Sequence, residues 1–372
     1  MKISIFSAFP PFRGGISQFS TRLCEELEKN HDVQIITFKN QYPNWLFPGK
    51  SQFDLEQKNT LKSPIFRKIS TLSFSSYLRT LFFIKRNNPD IFITNYWMTF
   101  FSPFMGFIAR RLPDETKKIA IVHNLTPHEK RFFDSWLNAY FLKSYDGFIA
   151  LSQHVYDDLK KNIDENKITL LPHPPYTQFG EKVDKIQAKK ELKLDLNKKT
   201  ILFFGIIRKY KGLDLLIEAF NYLDDSYQLL IAGEVYGKDE EIQNLINKNK
   251  NKLQIHFFNQ FIPDDKVSTF FSATDFLILP YRSGTQSGVA AIARNYNIPI
   301  IATNTGGITE TLIKNRDYII NNPDYQSIKE SIQLAFREID LSNITVEKLK
   351  STQYSWDEFG VELIRFSKSL LK

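Results

Sequence analysis

The sequence lacks the residues and patterns on which several common kinds of catalytic site are built. It has one cysteine, Cys24, so neither an intrachain disulfide nor a cysteine-based metal cluster can form within it. No Asp-x-Asp, His-Glu-x-x-His or Gly-x-x-x-x-Gly-Lys-Ser/Thr pattern occurs, which argues against a metal-held phosphate. Gly-x-Ser-x-Gly, the elbow of many hydrolases, is also missing. These absences favour a reducing, cytoplasmic location and a site that works without a metal.

Long hydrophobic runs are scarce as well. Residues 91–109 are uncharged and about as long as a bilayer span, but they include Asn95, Pro103 and Gly106. We therefore predict a buried strand from Ile91 to Thr94, followed by a loop and a packed helix. The first residues, from Met1 to Phe6, are too short an apolar run for a signal peptide and predict a β-strand.

Negative charge is scarce in the first half of the chain. Residues 1–190 carry 27 Lys and Arg against 18 Asp and Glu, whereas the remainder carries 22 against 23. The net charge of +8 thus arises wholly in the first half. This asymmetry suggests an anionic partner there, whether a phospholipid surface, a lipid diphosphate or nucleic acid; a solvated basic surface is the plainer interpretation.

Short β-branched runs alternate with helical patterns along the whole chain, and this alternation is typical of parallel sheets covered by helices. At 372 residues the chain is long enough for two domains. We predict an α/β protein with a Rossmann-like domain over residues 1–175, a polar linker over 176–195 and a second Rossmann-like domain over 196–350. A helix in residues 351–372, opened by a capping signal at Ser355, is expected to pack back on the first domain as a crossover.

Parallel sheets bind ligands beyond the carboxyl ends of their strands, and two such loops in the first half carry candidate residues. Gly14 and Gly15 follow the first strand and open a helix, where backbone N–H groups can approach a ligand closely. Their spacing is not that of a nicotinamide-binding fingerprint. His123 follows the strand from Ile119 to Val122 and can donate to a sugar hydroxyl or to developing charge, in a neutral or charged form.

Two further loops, in the second half, are suited to phosphate. Arg208 and Lys211 lie in a basic loop before a helix, and a diphosphate needs both neutralised charge and defined donors. The segment from Tyr281 to Ala290 is rich in Ser, Thr and Gly and also opens a helix, which directs N–H groups towards an anion. A turn at Gly306 and Gly307 then leads to Glu310.

Taken in order, these motifs resemble those of the retaining glycosyltransferases of family 4, the large group-one family with the GT-B fold. The resemblance covers nearly the whole chain. It is carried by Gly14-Gly15, Asn95-Tyr96-Trp97, His123-Asn124, Pro127-His128-Glu129, Pro172-His173-Pro174, Phe204-Gly205 with Arg208, Tyr210-Lys211-Gly212, Ala273-Thr274-Asp275, Leu279-Pro280-Tyr281, Thr285-Gln286-Ser287-Gly288, Pro299-Ile300-Ile301-Ala302-Thr303, and Gly306-Gly307 with Glu310.

The resemblance implies two Rossmann-like domains facing each other across a cleft, the first for the acceptor and the second for a nucleotide diphosphate sugar. It implies that the leaving phosphate oxygen takes the acceptor's proton, so that no protein nucleophile is needed. The implied catalytic residues are His123, Arg208 and Lys211. The implied donor-binding residues are Gly15, Arg208, Lys211, Thr285, Gln286, Ser287, Gly288, Val289 and Glu310. The implied acceptor-side residues are Gly14, Gly15, Asn95, Trp97 and His123.

The sequence departs from the family pattern at two glutamates that are normally seven residues apart. The second of these positions is Ile292, and the first falls near Gly284-Thr285-Gln286, where polar side chains can replace the carboxylate. The usual contact to the ribose is therefore altered.

A basic, Phe-rich stretch from Phe66 to Arg86 has the composition of an amphipathic helix that binds anionic lipid, although a core-packed helix with a solvated face fits equally. The expected partners are accordingly a nucleotide-sugar donor of the UDP or GDP type, a saccharide or lipid-linked acceptor and an anionic membrane surface, with no cofactor and no nucleic acid.

The sequence as a whole predicts a hexosyl-type, retaining, metal-independent glycosyltransferase of cell-surface polysaccharide or glycolipid synthesis, cytoplasmic or peripheral on the inner face of the membrane. Three alternatives stay open at this point. The chain could be a catalytically degenerate sugar-nucleotide-binding protein, a nucleotide-sugar epimerase or phosphorylase of related fold, or a nucleic-acid-binding protein.

Overall fold

The computed structural model describes residues 1–42, 49, 51–54, 60–126, 132–284, 287–339 and 354–370. It divides the chain into two units. The first comprises Met1–Pro174 together with Tyr354–Lys372, and the second comprises Pro175–Gln353. Each unit is a parallel β-sheet with helices in the connections between its strands, so the predicted α/β fold with two parallel-sheet domains is confirmed.

The first unit contains a seven-stranded sheet in the order β3-β2-β1-β4-β5-β6-β7. Its strands are β1 Lys2–Phe6, β2 Asp32–Asn40, β3 Ile65–Ser70, β4 Ile91–Tyr96, β5 Lys117–Val122, β6 Gly147–Ala150 and β7 Ile168–Leu170. Its helices are α1 Gly15–Leu27, α2 Phe74–Asn87, α3 Ser102–Ala109, α4 Asp134–Leu142, α5 Gln153–Lys160 and α12 Trp356–Ser369. The central strands are buried on both faces, as their continuous apolar runs require.

The second unit contains a six-stranded sheet in the order β10-β9-β8-β11-β12-β13. Its strands are β8 Lys199–Phe204, β9 Tyr227–Ala232, β10 Ile255–Phe258, β11 Phe276–Leu279, β12 Ile300–Thr303 and β13 Tyr318–Ile320. Its helices are α6 Lys185–Glu191, α7 Leu213–Phe220, α8 Asp239–Lys248, α9 Asp264–Ser272, α10 Gly288–Asn295 and α11 Tyr325–Ile339. The strand order is that of a doubly wound nucleotide-binding sheet.

The uncharged stretch 91–109 forms β4, a 3₁₀ turn at Thr99–Phe101 and the helix α3. Among the helices that the structure describes, none is long and apolar enough to cross a membrane.

The polar stretch 176–195 is built into the second unit. Tyr176, Phe179 and Ala188 are buried there, and α6 lies within the stretch. Lys189, another of its residues, is buried and donates from Nζ to the carbonyl oxygens of Leu196 and Lys198, at 3.3 and 2.6 Å. Lysine-rich composition suggested a solvated segment, whereas these aromatic and small side chains tie it to the domain that follows.

The last helix, α12, packs against α1 within the first unit. The apolar side chains of Trp356, Phe359 and Leu363 are buried at helical spacing. A capping box opens the helix: the Ser355 hydroxyl accepts from the backbone N–H of Glu358 at 3.1 Å, and the Glu358 carboxylate accepts from the backbone N–H of Ser355 at 2.7 Å.

We expect Ser355→Ala to lower the free energy of unfolding by about 1 kcal/mol, because the backbone N–H of Glu358 loses the hydroxyl that accepts its hydrogen bond. Urea denaturation followed by circular dichroism measures this loss. Ser355→Thr keeps the hydroxyl and should stay close to wild type, as should Ser369→Ala at the exposed end of the same helix. Equal stabilities for the alanine and threonine variants would contradict a capping role.

Candidate functional site

In the first unit, the candidate residues follow three neighbouring strands. Gly14 comes after β1, Asn95 lies near the end of β4, and His123 comes directly after β5. These strands are adjacent and parallel in the sheet, with Phe6 opposite Thr94 and Asn95 opposite Ile121. Their carboxyl ends therefore meet at one edge, as ligand-binding sites of open α/β sheets do.

A chain of buried hydrogen bonds joins His123 to the first helix. Nε2 of His123 lies 2.8 Å from Oδ1 of Asn95, and Nδ2 of Asn95 donates to the Ser20 hydroxyl at 3.1 Å. Ser20 lies on α1 and is in turn 2.6 Å from the hydroxyl of Ser7, just after β1. Because Asn95 uses its amide N–H towards Ser20, its oxygen accepts from the imidazole, so Nε2 of His123 carries the proton.

The environment of His123 keeps its imidazole neutral. Burial, and to a lesser extent the neighbouring His173, lower the pKa of His123 to about 3. Burial also lowers the pKa of His173 to about 4, although the bond from its Nδ1 to the carbonyl oxygen of Pro174 acts in the opposite direction. The expectation that the charged form of His123 is also accessible near pH 7 is therefore wrong in this structure, because the sequence does not show the depth of burial.

Phe19 of α1 fixes the ring of His123 from the side. The ring centroids of Phe19 and His123 are 4.8 Å apart in an edge-to-face arrangement, and Phe19 also meets His173 at 5.1 Å. The other neighbours of Phe19 are Trp356 and Phe359 of α12, at 5.2 and 5.7 Å. The last helix thus packs behind the candidate acceptor-side residue, a contact that the sequence did not reveal.

The remaining predicted residues of the first unit have different environments. Gly14 caps α1 with φ of +102°, a conformation that favours glycine, and Gly15 is exposed. Trp97 is half-buried and packs on Phe101, with ring centroids 4.9 Å apart. The motif residues Pro127, His128 and Glu129 lie outside the described residues.

In the second unit, the basic loop after β8 places Lys211 inside the protein. Lys211 is only 8% exposed, and its ammonium lies 5.6 Å from the centroid of the Tyr281 ring. A methyl group on Gly205 would stand 3.4 Å from that ammonium and 3.3 Å from Cγ2 of Val289. Gly205, Lys211 and Val289 therefore converge, although Gly205 and Lys211 follow β8 and Val289 lies in the first turn of α10.

Lys211 is a buried cation that the described residues do not neutralise. Within the described part of the chain its Nζ has neither a carboxylate partner nor a hydrogen-bond acceptor. Burial lowers its pKa, and the positive charge of Arg208 lowers it further while Tyr210 opposes this. An unpaired buried charge costs free energy, and an anionic ligand would recover it.

The start of α10 comes close to this cation through the side chain of Val289. Ser287 caps the helix, since its hydroxyl accepts from the backbone N–H of Ala290 at 3.4 Å. A hydrogen bond also links Ser287 to the hydroxyl of Tyr281, whose pKa is raised to about 12 chiefly by burial. Gly288 lies beside the ring of Tyr176, and Val289 reaches Gly205. Helix starts of this kind favour anions.

The two loops of the second unit are held together by Arg282 and Asp214. The guanidinium of Arg282 makes two 2.7 Å bonds to the Asp214 carboxylate and a 2.9 Å bond to the carbonyl oxygen of Lys209. Gly212 adds a close backbone contact: its φ is +69°, and a methyl group there would lie 2.0 Å from the carbonyl oxygen of Pro280. Arg282 and Asp214 are positioning residues that sequence reasoning missed.

Glu310 is exposed and lies in a 3₁₀ turn, Gly306–Thr311, rather than in a regular helix. Thr285 and Gln286, the remaining predicted donor-binding residues, lie outside the described residues. Ile292, which occupies the position of the second family glutamate, is buried in α10. No cluster of three or more potential metal ligands occurs among the described residues.

Two family models match the chain, one on each unit. The model described as Glycosyltransferase Family 4 matches residues 13–177, and the model described as Glycosyl transferases group 1 matches residues 184–351. Together with the two parallel-sheet units, these matches define a glycosyltransferase of the GT-B fold. The chain belongs to glycosyltransferase family 4, and the resemblance inferred from its motifs is confirmed.

Three similar proteins illustrate the relationship. An uncharacterized glycosyltransferase of Methanocaldococcus jannaschii is 25% identical, the match covering 96% of this chain and 95% of the relative. A capsular polysaccharide biosynthesis glycosyltransferase of Staphylococcus aureus, CapM, is 23% identical over 96% of this chain and 94% of its own. Among solved structures, Anabaena HepE in complex with UDP-glucose has a TM-score of 0.74 at 11% identity, covering 100% of this chain and 98% of that one.

The two buried histidines make stability depend on pH. In the unfolded chain His123 binds a proton below about pH 6.5, whereas in the folded protein it stays neutral down to about pH 3. The free energy of unfolding therefore decreases as the pH falls through this range. From pH 7 to pH 5 the loss due to His123 is about 2 kcal/mol. We therefore expect His123→Gln to lose about 2 kcal/mol less than wild type over this interval, measured by urea denaturation at both pH values.

His173→Gln should likewise lose about 2 kcal/mol less stability than wild type between pH 7 and pH 5, because the pKa of His173 is lowered to about 4 in the folded protein. If either variant kept the full wild-type dependence on pH, that histidine would not be held neutral in the folded protein.

Proposed function

We propose that this protein transfers a hexosyl group from a nucleotide diphosphate sugar, of the UDP or GDP type, to a saccharide or lipid-linked acceptor, with retention of configuration and without a metal. The second unit is the donor domain and the first is the acceptor domain. The product is a cell-surface polysaccharide or glycolipid, made in the cytoplasm at the inner face of the membrane. CapM, named for capsular polysaccharide biosynthesis, supports this setting by analogy.

The observation that carries the proposal is the buried ammonium of Lys211 near Val289 at the start of α10, which no carboxylate among the described residues neutralises. A diphosphate fits such a place because it brings negative charge and several acceptor oxygens. Arg208, whose charge acts on Lys211, is proposed as the second cation. That Anabaena HepE binds UDP-glucose supports a nucleotide-sugar donor for this chain.

In the proposed reaction, the bond between the anomeric carbon and the diphosphate oxygen breaks while the acceptor oxygen bonds to the same face of that carbon. The acceptor's proton passes to the departing phosphate oxygen, so no protein nucleophile takes part. Lys211, Arg208 and the N–H groups at Ser287, Gly288 and Val289 stabilise the charge that develops on the diphosphate. Thr285, Gln286 and Glu310 complete the proposed donor contacts.

On the acceptor side we assign His123, Asn95, Gly14, Gly15 and Trp97. Because His123 is neutral and donates from Nε2 to Asn95, its role is to hold hydroxyl groups in place rather than to supply a proton. Gly15 is also proposed to approach the donor, since its exposed backbone opens α1. The apolar Ile292 leaves the ribose without the family carboxylate, so donor preference is expected to depend on neighbouring polar groups.

We expect Lys211→Met to raise the melting temperature of the free protein and to reduce strongly its stabilisation by the preferred nucleotide. The substitution removes a buried charge that no described residue neutralises, yet it also removes a contact to phosphate worth about 1.5–3 kcal/mol, or roughly 10-fold to more than 100-fold in Kd. The measurement is thermal unfolding with UDP, GDP, ADP and their sugars, without added metal.

Lys209→Met is the matched control, because Lys209 belongs to the same 3₁₀ turn but is exposed. It should leave both the melting temperature and the nucleotide response close to wild type. If nucleotide raised the melting temperature of Lys211→Met as much as that of wild type, the assignment of the donor site to this loop would be wrong. Stabilisation without turnover would identify a sugar-nucleotide-binding protein instead.

We further expect EDTA to leave turnover unchanged within a factor of about two, since the proposed neutralisation of the diphosphate comes from Lys211 and Arg208 rather than from a cation. The measurement is release of nucleoside diphosphate from the sugar donor that gives the largest thermal shift. Loss of turnover with EDTA that is restored by Mg²⁺ or Mn²⁺ would contradict the metal-independent part of the proposal.

A further inference from the structure

Helix α2 exposes three of its large apolar side chains. Phe74, Leu78 and Phe82 follow one another at intervals of four residues, so they form one stripe along the helix. Phe74 is 59% exposed, Leu78 is 38% exposed and Phe82 is 70% exposed. Leu72, just before the helix, is 67% exposed as well. A surface helix normally directs its apolar residues to the core; α2 does this with Leu81 and Ile84, but it carries the exposed stripe in addition.

The opposite side of α2 shows that this orientation is built into the fold. Ser76 and Thr80 are buried, and their hydroxyls are satisfied by the carbonyl oxygens of Ser73 and Ser76, at 2.6 and 2.8 Å. Tyr77 packs on Phe104 of α3 with ring centroids 4.7 Å apart. Rotating the helix to bury the stripe would break the Tyr77–Phe104 contact and would expose Leu81 and Ile84, which are buried, so the exposed stripe is a stable feature of the unit.

Positive charge surrounds the stripe. Arg79, Lys85 and Arg86 of α2 are exposed, and the helix contains no acidic residue. The sequence from residue 60 to residue 111 contains one acidic residue, Asp90, and eight basic residues. The basic residues are Lys62, Arg67, Lys68, Arg79, Lys85, Arg86, Arg110 and Arg111. Arg111 lies over the ring of Phe107, which in turn meets Phe74 with ring centroids 5.1 Å apart.

We propose that the exposed face of α2 docks this protein on an anionic phospholipid surface. Phe74, Leu78 and Phe82 enter the boundary between headgroups and acyl chains, while Arg79, Lys85 and Arg86 stay at the level of the phosphates. A second copy of the chain is a poor occupant because it would bring the same positive charges together. The purpose of docking, access to a lipid-linked acceptor, rests on the proposed function, whereas docking itself rests on α2 alone.

The test is co-sedimentation of the full chain with vesicles of phosphatidylcholine alone, or with about a third of phosphatidylglycerol, at low and high salt. We expect binding to the anionic vesicles, with most of it lost on the neutral ones. The triple variant Phe74→Ser, Leu78→Ser, Phe82→Ser should bind at least tenfold more weakly. The triple variant Arg79→Gln, Lys85→Gln, Arg86→Gln should lose binding to a similar extent and lose most of its dependence on salt.

A matched control in the second unit removes comparable side chains from another surface. This control variant is Leu245→Ser, Leu253→Ser, Lys248→Gln, Lys250→Gln. All four residues are exposed and lie on α8 or shortly after it, so the variant should bind vesicles like wild type. Lys211→Met should also bind vesicles like wild type, which separates docking from the donor site. A blue shift of fluorescence in Phe82→Trp on adding anionic vesicles would place this side chain in the lipid.

Three results would overturn the proposal. The first is an absence of wild-type binding to anionic vesicles. The second is equal binding by the wild type and the two α2 triple variants. The third is self-association of the wild type, lost in the apolar triple variant, without vesicle binding; this would assign the face to a second copy of the chain. Melting temperatures of all variants exclude unfolding as the cause, since every α2 substitution lies on an exposed side chain.

Discussion

Parallel pairing of the strands is the constraint on which both candidate sites depend. In the first unit, β1, β4 and β5 run side by side in one direction, so the residues that follow them gather at one edge. In the second unit, β8 and β11 do the same for the loops that carry Lys211 and Ser287. A single antiparallel strand at any of these places would send its loop to the opposite edge and separate the groups.

Within the second unit, contacts inside the protein hold the candidate site in place. The Arg282–Asp214 pair and the contact of Gly212 with Pro280 hold the two loops in register, and Lys211 is already placed beside Val289. Among the described residues nothing neutralises this buried cation, and the diphosphate of the proposed donor would recover the cost of burying it. Such preorganisation makes binding tighter than a flexible basic loop could, because less side-chain freedom is lost.

Much of the fold could be predicted from the sequence because strand–helix alternation and the position of glycines are local signals. His123 and Lys211 were predicted as candidate site residues in this way, because each is a polar residue in a loop after an apolar run. Burial and partners are not local, and the neutral state of His123 follows from residues as distant as Phe19 and His173. For the same reason the Arg282–Asp214 pair was missed, since it joins residues 68 positions apart.

Composition misled in one place and was ambiguous in another. The Lys-rich stretch 176–195 suggested a linker, but a few buried side chains such as Tyr176 and Phe179 attach it to the second unit. The Phe-rich stretch 66–86 fitted both a packed helix and a surface-binding one. In the structure, one side of α2 packs on the core through Tyr77, and another side is exposed at Phe82. The composition of the whole segment does not show which of its residues lie on which side.

The position of α12 also has a consequence for synthesis of the chain. This helix is the last described element to leave the ribosome, yet it belongs to the first unit, after the whole second unit has been made. Until it docks, Phe19 lacks the rings of Trp356 and Phe359, and His173 lacks the ring of Trp356. The surroundings of His123 are therefore completed only after the second unit has been made, so a nascent chain can hold the first sheet while Phe19, the neighbour of His123, is still partly unpacked.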